Sequence, residues 1–226
     1  MKGATLLLLM RLASPSLPVG GFSYSEGIES AVDAGCVGSE AQVREWLRDQ
    51  LHLGLARSDL PVVAGALLGW RSGDFDRVSA LNSWFATTRE TSEMRQQTEQ
   101  MARSLSQWLH NRSGTEPRLA VLDALSPAPT WPVAFALAAA LTDADPAEAS
   151  LAFSTGWAEN LVQAAMKSVP LGQLAGQRIL DALALEIAVA VASARDVSFD
   201  DLQAFTPMLA ILSAQHEVQY SRLFRS

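Results

Sequence analysis

The side chains best placed to ligate a metal or move a proton near neutral pH are three histidines, His52, His110 and His216. They lie far apart in sequence. None has a second histidine, a cysteine or a carboxylate at a spacing used by metal motifs, and His216-Glu217 is only an adjacent pair. Cys36 is the single cysteine, so no internal disulfide framework exists, which is consistent with a reducing compartment. An enzyme site would have to assemble Tyr24, Glu29, Arg89 and Glu90 from separate helices, and no nucleophile with an adjacent base is evident. Gly20-Gly21 suggests a phosphate loop, but neither a preceding strand nor a Gly-Lys-Ser/Thr ending accompanies it.

These residues must be positioned by helices. The chain has 226 residues, 49% of them hydrophobic, enough to bury a sizeable core in one domain. Helix caps recur along it, and the alternation expected of strands is almost absent. The predicted fold is all-α, a single-domain bundle of about ten helices over residues 1–226, with a tail at about 215–226.

The first helix is expected over Leu6–Ala13. A turn rich in proline and glycine follows, and a second helix is expected from Ser23 to Ala34, opened by a Ser23/Glu26 capping box. Ser39 with Gln42 opens a third, running through Trp46, Leu47, Leu51 and Leu55. Pro61 sits in the first turn of a fourth, and Asp74 starts a fifth through Val78, Leu81 and Phe85. Thr88–His110 reads as one long polar helix in which Arg89 and Glu93 are spaced for an i,i+4 pair. Arg118–Trp131, with Pro127 and Pro129, is expected to be a loop. A helix begins near Trp131, and Asp145-Pro-Ala-Glu148 opens another that reaches Val169. After Pro170, Leu171–Ala194 is apolar on nearly all sides and belongs at a bundle centre or a subunit interface. Ser198 is expected to cap the last helix, with Pro207 as a kink.

Net charge is −7, and no basic stripe interrupts it, which argues against nucleic acid as a partner. The apolar start Met1–Met10 superficially resembles a signal peptide, but Arg11 ends the run and no convincing cleavage site follows. Val133–Leu141 is too short to span a membrane, and Asp181 and Glu186 interrupt Ile179–Ala194. A cytoplasmic protein without a membrane span is expected.

Three further segments stand out beside the turn Leu17-Pro-Val-Gly-Gly-Phe-Ser-Tyr-Ser25. Thr88-Arg-Glu and Met94-Arg95 lie in a stretch whose charges cancel, which suits an ordinary solvated face or a polar contact surface. Lys167, the only lysine beyond Lys2, ends a helix just before a proline break, where it caps the dipole or meets a partner. The end of the chain, His216-Glu-Val-Gln-Tyr-Ser-Arg-Leu-Phe224, mixes polar and aromatic residues as fraying or docking tails do.

Taken in order, these four segments resemble the UreF family of urease accessory proteins. Glu26 departs from the glutamine more usual there, which preserves the capping box. The absence of a cysteine near His216 weakens any His/Cys nickel pair in the tail. The resemblance implies an all-helical, non-catalytic protein that dimerises and serves as a chaperone in nickel insertion into the urease apoprotein. It implies bridging of a UreD/UreH-type protein and the GTPase UreG, modulation of a GTP-dependent step, and no tightly bound cofactor, nickel being handled by the complex. By motif, Lys167, Gln173 and Gln177 would face the GTPase. His216, Tyr220, Arg222, Leu223 and Phe224 would face the UreD/UreH-type partner, which would order the tail. Pro18, Gly20, Gly21, Tyr24, Glu29, Arg89, Glu90 and Arg95 would be structural or interface residues, with Tyr24 and Glu29 in a polar wall at a partner or dimer surface. A helical enzyme and a self-sufficient nickel metallochaperone using His216 remain as alternatives.

Overall fold

Trp131–Ala140, the most continuous short apolar run in the chain, forms the helix around which the others pack (α8 below); every residue from Pro132 to Ala140 is buried. Its alanines let neighbouring backbones approach closely, while Val133, Phe135 and Leu137 each contribute about 1.5–3 kcal/mol through burial. The computed structural model describes residues 2–225, which contain eleven α-helices and no strand. They are α1 (Gly3–Ala13), α2 (Ile28–Asp33), α3 (Glu40–Asp49), α4 (Asp59–Ser72), α5 (Phe75–Thr87), α6 (Ser92–Ser113), α7 (Arg118–Asp123), α8 (Trp131–Ala140), α9 (Pro146–Ser168), α10 (Gln173–Ala194) and α11 (Pro207–His216).

Helices α4 and α6 flank α8, α9 lies against α1, α4 and α10, and α10 packs on α3 and α9. Trp131, Phe135 and Phe153 join α8 to α9 with ring centroids 5.1–6.1 Å apart. Trp70 of α4 donates its indole N–H to the Val133 carbonyl at 3.1 Å, so a large apolar body is buried without orphaning its polar atom.

Several helix starts follow the caps read from sequence. Ser39, Asp74 and Asp145 each accept from a backbone N–H three residues on, and Asp145 and Glu148 complete a reciprocal capping box at 2.8 and 2.9 Å. Elsewhere tertiary contacts override the local pattern. The Ser23/Glu26 capping box does not form. A short 3₁₀ turn covers Gly21–Ser23, Glu26 and Gly27 take φ of 49° and 82°, and α2 starts only at Ile28. Glu26 turns inward instead, toward Gln97 and Trp157.

The predicted Thr88–His110 helix begins at Ser92, capped by Thr91, so Arg89 lies outside it and the Arg89–Glu93 pair does not form; the Glu93 carboxylate binds His216 and Arg222. Within the expected loop Arg118–Trp131, six residues form α7, because Leu119 and Leu122 find buried places. Asp123 accepts from Ser106 at 2.6 Å and faces His110 Nε2 at 2.7 Å, pinning α7 to α6. The remaining loop is held by Asn82, which donates to the carbonyls of Pro127 and Ala128 and accepts from Thr130 N–H.

Helix α3 widens into a π-helical turn at Gln50–Leu55 before the chain enters α4. Ser198 precedes only a 3₁₀ turn, Phe199–Asp201, without a side-chain cap bond to its backbone, and Pro207 starts α11 rather than kinking a longer helix. Helix α10 is not central: Ile179, Leu183 and Ile187 face the core, while Leu174, Leu185 and Val189 are exposed. No single helix among the described residues is long and apolar enough to cross a membrane.

Candidate functional site at the C-terminal strap

The chain places its most elaborate polar centre where α2, the start of α6 and the end of α11 meet. Helix α2 contributes Glu29, the first turn of α6 contributes Glu93, and α11 ends on His216, whose side chain is fully buried between them. His216 Nδ1 lies 2.8 Å from Glu93 Oε2 and Nε2 lies 3.1 Å from Glu29 Oε2. With both carboxylates ionised, both contacts are hydrogen bonds only when the imidazole carries a proton on each nitrogen. Arg222 Nη1 donates to Glu93 Oε1 at 3.0 Å, so each Glu93 oxygen has a partner.

The last residues run back over this cluster as a strap. Leu223 and Phe224 donate their backbone N–H groups to the two oxygens of Glu29 at 2.7 and 3.0 Å, and Arg225 N–H reaches the Ser23 carbonyl at 2.8 Å. Ser30 bonds Gln219 at 3.4 Å. Glu217 accepts from Ser92 N–H and Oγ, capping the N-terminus of α6, and these bonds hold its carboxyl below the usual glutamate range. Gly27 lies against Leu209 of α11. A Cβ there would lie 2.7 Å from Leu209 Cδ1, and its φ of 82° suits glycine.

A second polar feature lies beneath α11. A cavity of about 100 Å³ lies between Glu26, Asp59, Arg89, Glu90 and Gln97, and shares Glu26, Asp59, Gln97, Met101 and Trp131 with a neighbouring cavity of about 80 Å³. Burial pushes the Glu26 carboxyl up, opposed by hydrogen bonds from Trp157 and Gln97, and burial likewise raises Asp59, opposed by Arg89. The Arg89 guanidinium stacks 4.1 Å over Phe85.

The sequence-predicted residues therefore divide among several places. Tyr24 and Glu29 are buried rather than part of an exposed wall, Arg89 and Glu90 line the cavity, and the four do not form one site. Arg95 donates to the Arg89 carbonyl at 2.7 Å and braces the link before α6. Pro18 is exposed, Gly20 takes φ 78°, and Gly21 lies against Met101 and Asn160. Lys167, Gln173 and Gln177 line one open cleft of about 650 Å³ at the α9–α10 junction.

The predicted tail residues also split. His216 and Phe224 are buried, so neither offers a direct anchor to a partner while the strap is closed, whereas Tyr220 and Leu223 are exposed and Arg222 is partly so. Lys167 Nζ sits 5.4 Å over the Phe224 ring, linking the strap to the edge of the cleft. Among the described residues no group of three or more His, Cys, Asp and Glu side chains could hold a metal ion, and both nitrogens of His216 are engaged. Glu93, Glu217, Glu26 and Asp59 carry no local mark of their distant partners: each is an ordinary acidic residue near a helix end.

The fold and this centre define an all-helical protein whose buried polar network fastens its own tail, with Phe224 turned in and Val218, Tyr220 and Leu223 turned out. The family model UreF matches residues 37–184. A urease accessory protein UreF of Methylibium petroleiphilum is 61% identical over 99% of this chain and 94% of its own length. Those of Polaromonas sp. and Ralstonia pickettii are 57% and 43% identical over 100% of this chain and cover 97% and 99% of their own. The chain belongs to the UreF family of urease accessory proteins.

Proposed function

We propose that this protein is a non-catalytic scaffold in nickel insertion into urease, bridging a UreD/UreH-type protein and the GTPase UreG and modulating the GTP-dependent step. The carrying observation is that two surfaces of different character are presented by different parts of the chain. Tyr220 and Leu223 project from the strap, and Lys167, Gln173 and Gln177 line a polar cleft. Exposed aromatic and aliphatic anchors suit a protein partner, and a cleft edged by glutamines and one lysine suits a polar one. The outward Leu174, Leu185 and Val189 of α10, and Leu6, Leu7 and Met10 of α1, offer apolar surface for a second copy. On this reading the protein works in the cytoplasm, nickel is cargo of the assembled complex, and neither nucleic acid nor a membrane is a partner.

Co-expression with the UreD/UreH-type protein and UreG, followed by light scattering, tests the proposal. The full chain should form a ternary complex. Tyr220→Ala/Leu223→Ala should lose the first partner, and Lys167→Ala/Gln177→Ala should lose UreG while keeping the first. Failure of the full chain to recruit either folded partner would refute the scaffold reading.

A further inference from the structure

The cavity between Asp59, Arg89 and Thr98 is lined by donors that lack acceptors. Arg89 lies in the link before α6, with its carbonyl held by Arg95 at 2.7 Å and its guanidinium 4.1 Å over the Phe85 ring. A guanidinium seated on a ring keeps its N–H edge for an in-plane acceptor. Its Nε is buried, and among the described residues no acceptor meets it. Glu26 and Asp59 line the same cavity and feel the Arg89 charge, yet neither accepts a hydrogen bond from it. Glu26 is engaged by Gln97 at 2.6 Å and Trp157 at 2.9 Å, and Asp59 by Ser58. Thr98, 6% exposed, accepts from Trp131 N–H at 2.8 Å, and among the described residues its O–H finds no acceptor. Buried donors left open in this way are rare in folded proteins.

We propose that this cavity binds one small planar oxyanion, a short carboxylate or bicarbonate, received by the Arg89 guanidinium and the Thr98 hydroxyl. Arg89 is the one basic residue of the lining, so a single negative charge is matched and a dianion such as phosphate is not. Burial favours the neutral, donating form of the Glu26 and Asp59 carboxyls, while Glu90, the third acid of the lining, is exposed. A volume of about 100 Å³ has room for several waters, and so for an ion of about three or four heavy atoms. The adjoining cavity of about 80 Å³, which brings Leu17, Val19 and Phe153 beside the shared Met101 and Trp131, can take a short alkyl tail. None of the groups that receive the ion belongs to α11 or to the residues after it, so the site does not draw on the tail.

Titration of the full chain with carbon-13-labelled acetate, butyrate and bicarbonate, read by NMR line broadening at constant ionic strength set with sodium chloride, tests this. Binding should saturate at one ion per chain. Affinity rising from acetate to butyrate would identify a carboxylate with its tail in the adjoining cavity, and bicarbonate binding more tightly than either would identify bicarbonate. Arg89→Gln should weaken binding about tenfold or more, and Arg89→Lys, which keeps the charge but loses the fork, about threefold or more. Arg103→Gln, at an exposed arginine further along α6, should bind as the parent does. No saturation by any of the three ions up to about 0.1 M, or equal affinity in the parent and in Arg89→Gln, would overturn the proposal, water alone then serving Arg89 and Thr98.

Discussion

Glu29 accepts the backbone N–H of Leu223, 194 residues further along the chain, at 2.7 Å. Its second oxygen accepts from Phe224 and faces His216, so one short-helix carboxylate gathers the end of α11 and the end of the chain. Such a junction concentrates free energy in few atoms, because a buried carboxylate is tolerated only while its donors stay in place.

Replacing His216 with leucine should destabilise the protein by about 3–5 kcal/mol, since Glu29 and Glu93 would both lose a buried polar partner and gain no replacement. A double-mutant cycle with Glu29→Gln, read by urea unfolding, should give a coupling of about 1–3 kcal/mol. Strict additivity would mean that the imidazole and the carboxylate do not interact.

Asn82 is the buried support of the loop before α8, serving three backbone groups at 2.9–3.2 Å. Asn82→Ala should cost about 2–3 kcal/mol in chemical denaturation, the penalty for leaving buried loop carbonyls and an N–H unmatched. A change within about 0.5 kcal/mol, as at ordinary surface positions, would show that water serves these groups equally well.

Glu217 and Glu26 should give pH effects of opposite sign. Hydrogen bonds from Ser92 depress the Glu217 carboxyl in the folded state, so its contribution is fully present above the unfolded-chain value and is lost as pH falls through the folded one. Glu217→Ala should therefore lower the melting temperature at neutral pH and have a smaller effect in acid. An effect independent of pH would remove the cap at α6 as its cause.

Burial raises the Glu26 carboxyl, so its ionised form costs stability above the folded-state value, and that cost fades as pH falls through it. Glu26→Gln keeps an acceptor for the Trp157 indole and can meet Gln97 through an amide. It should raise the melting temperature at neutral pH, with a gain that shrinks in acid. Destabilisation at neutral pH would show that the charge itself, with Arg89 nearby, is needed there.

Much of the helical framework is written locally. Asp145-Pro-Ala-Glu148 carries cap, proline and reciprocal glutamate within four residues, and the helix starts where that chemistry places it. Trp131–Ala140 has so few polar atoms that burial is its only stable destination. The four motif segments were sufficient to suggest the family because their residue types survive reading one at a time.

What local reading misses are choices made between distant segments. Ser23 and Glu26 have the spacing of a capping box, yet Trp157 and Gln97 offer the glutamate better-placed donors and the chain bends through positive φ instead. Leu119 and Leu122 make a helix of an expected loop because packing beside α6 leaves them a buried place. His216 reads by motif as a partner-facing tail residue, and nothing beside it in sequence marks the two distant carboxylates that enclose it. The sequence by itself determined that this is an all-helical chain with capped helices, an apolar centre and a motif-bearing tail, since those properties depend on neighbours a few residues apart. Only the tertiary structure decided that Glu29, Glu93 and His216 meet and that Phe224 turns in while Tyr220 and Leu223 turn out. Pairing across nearly two hundred residues depends on where whole helices come to rest, and no local periodicity encodes that.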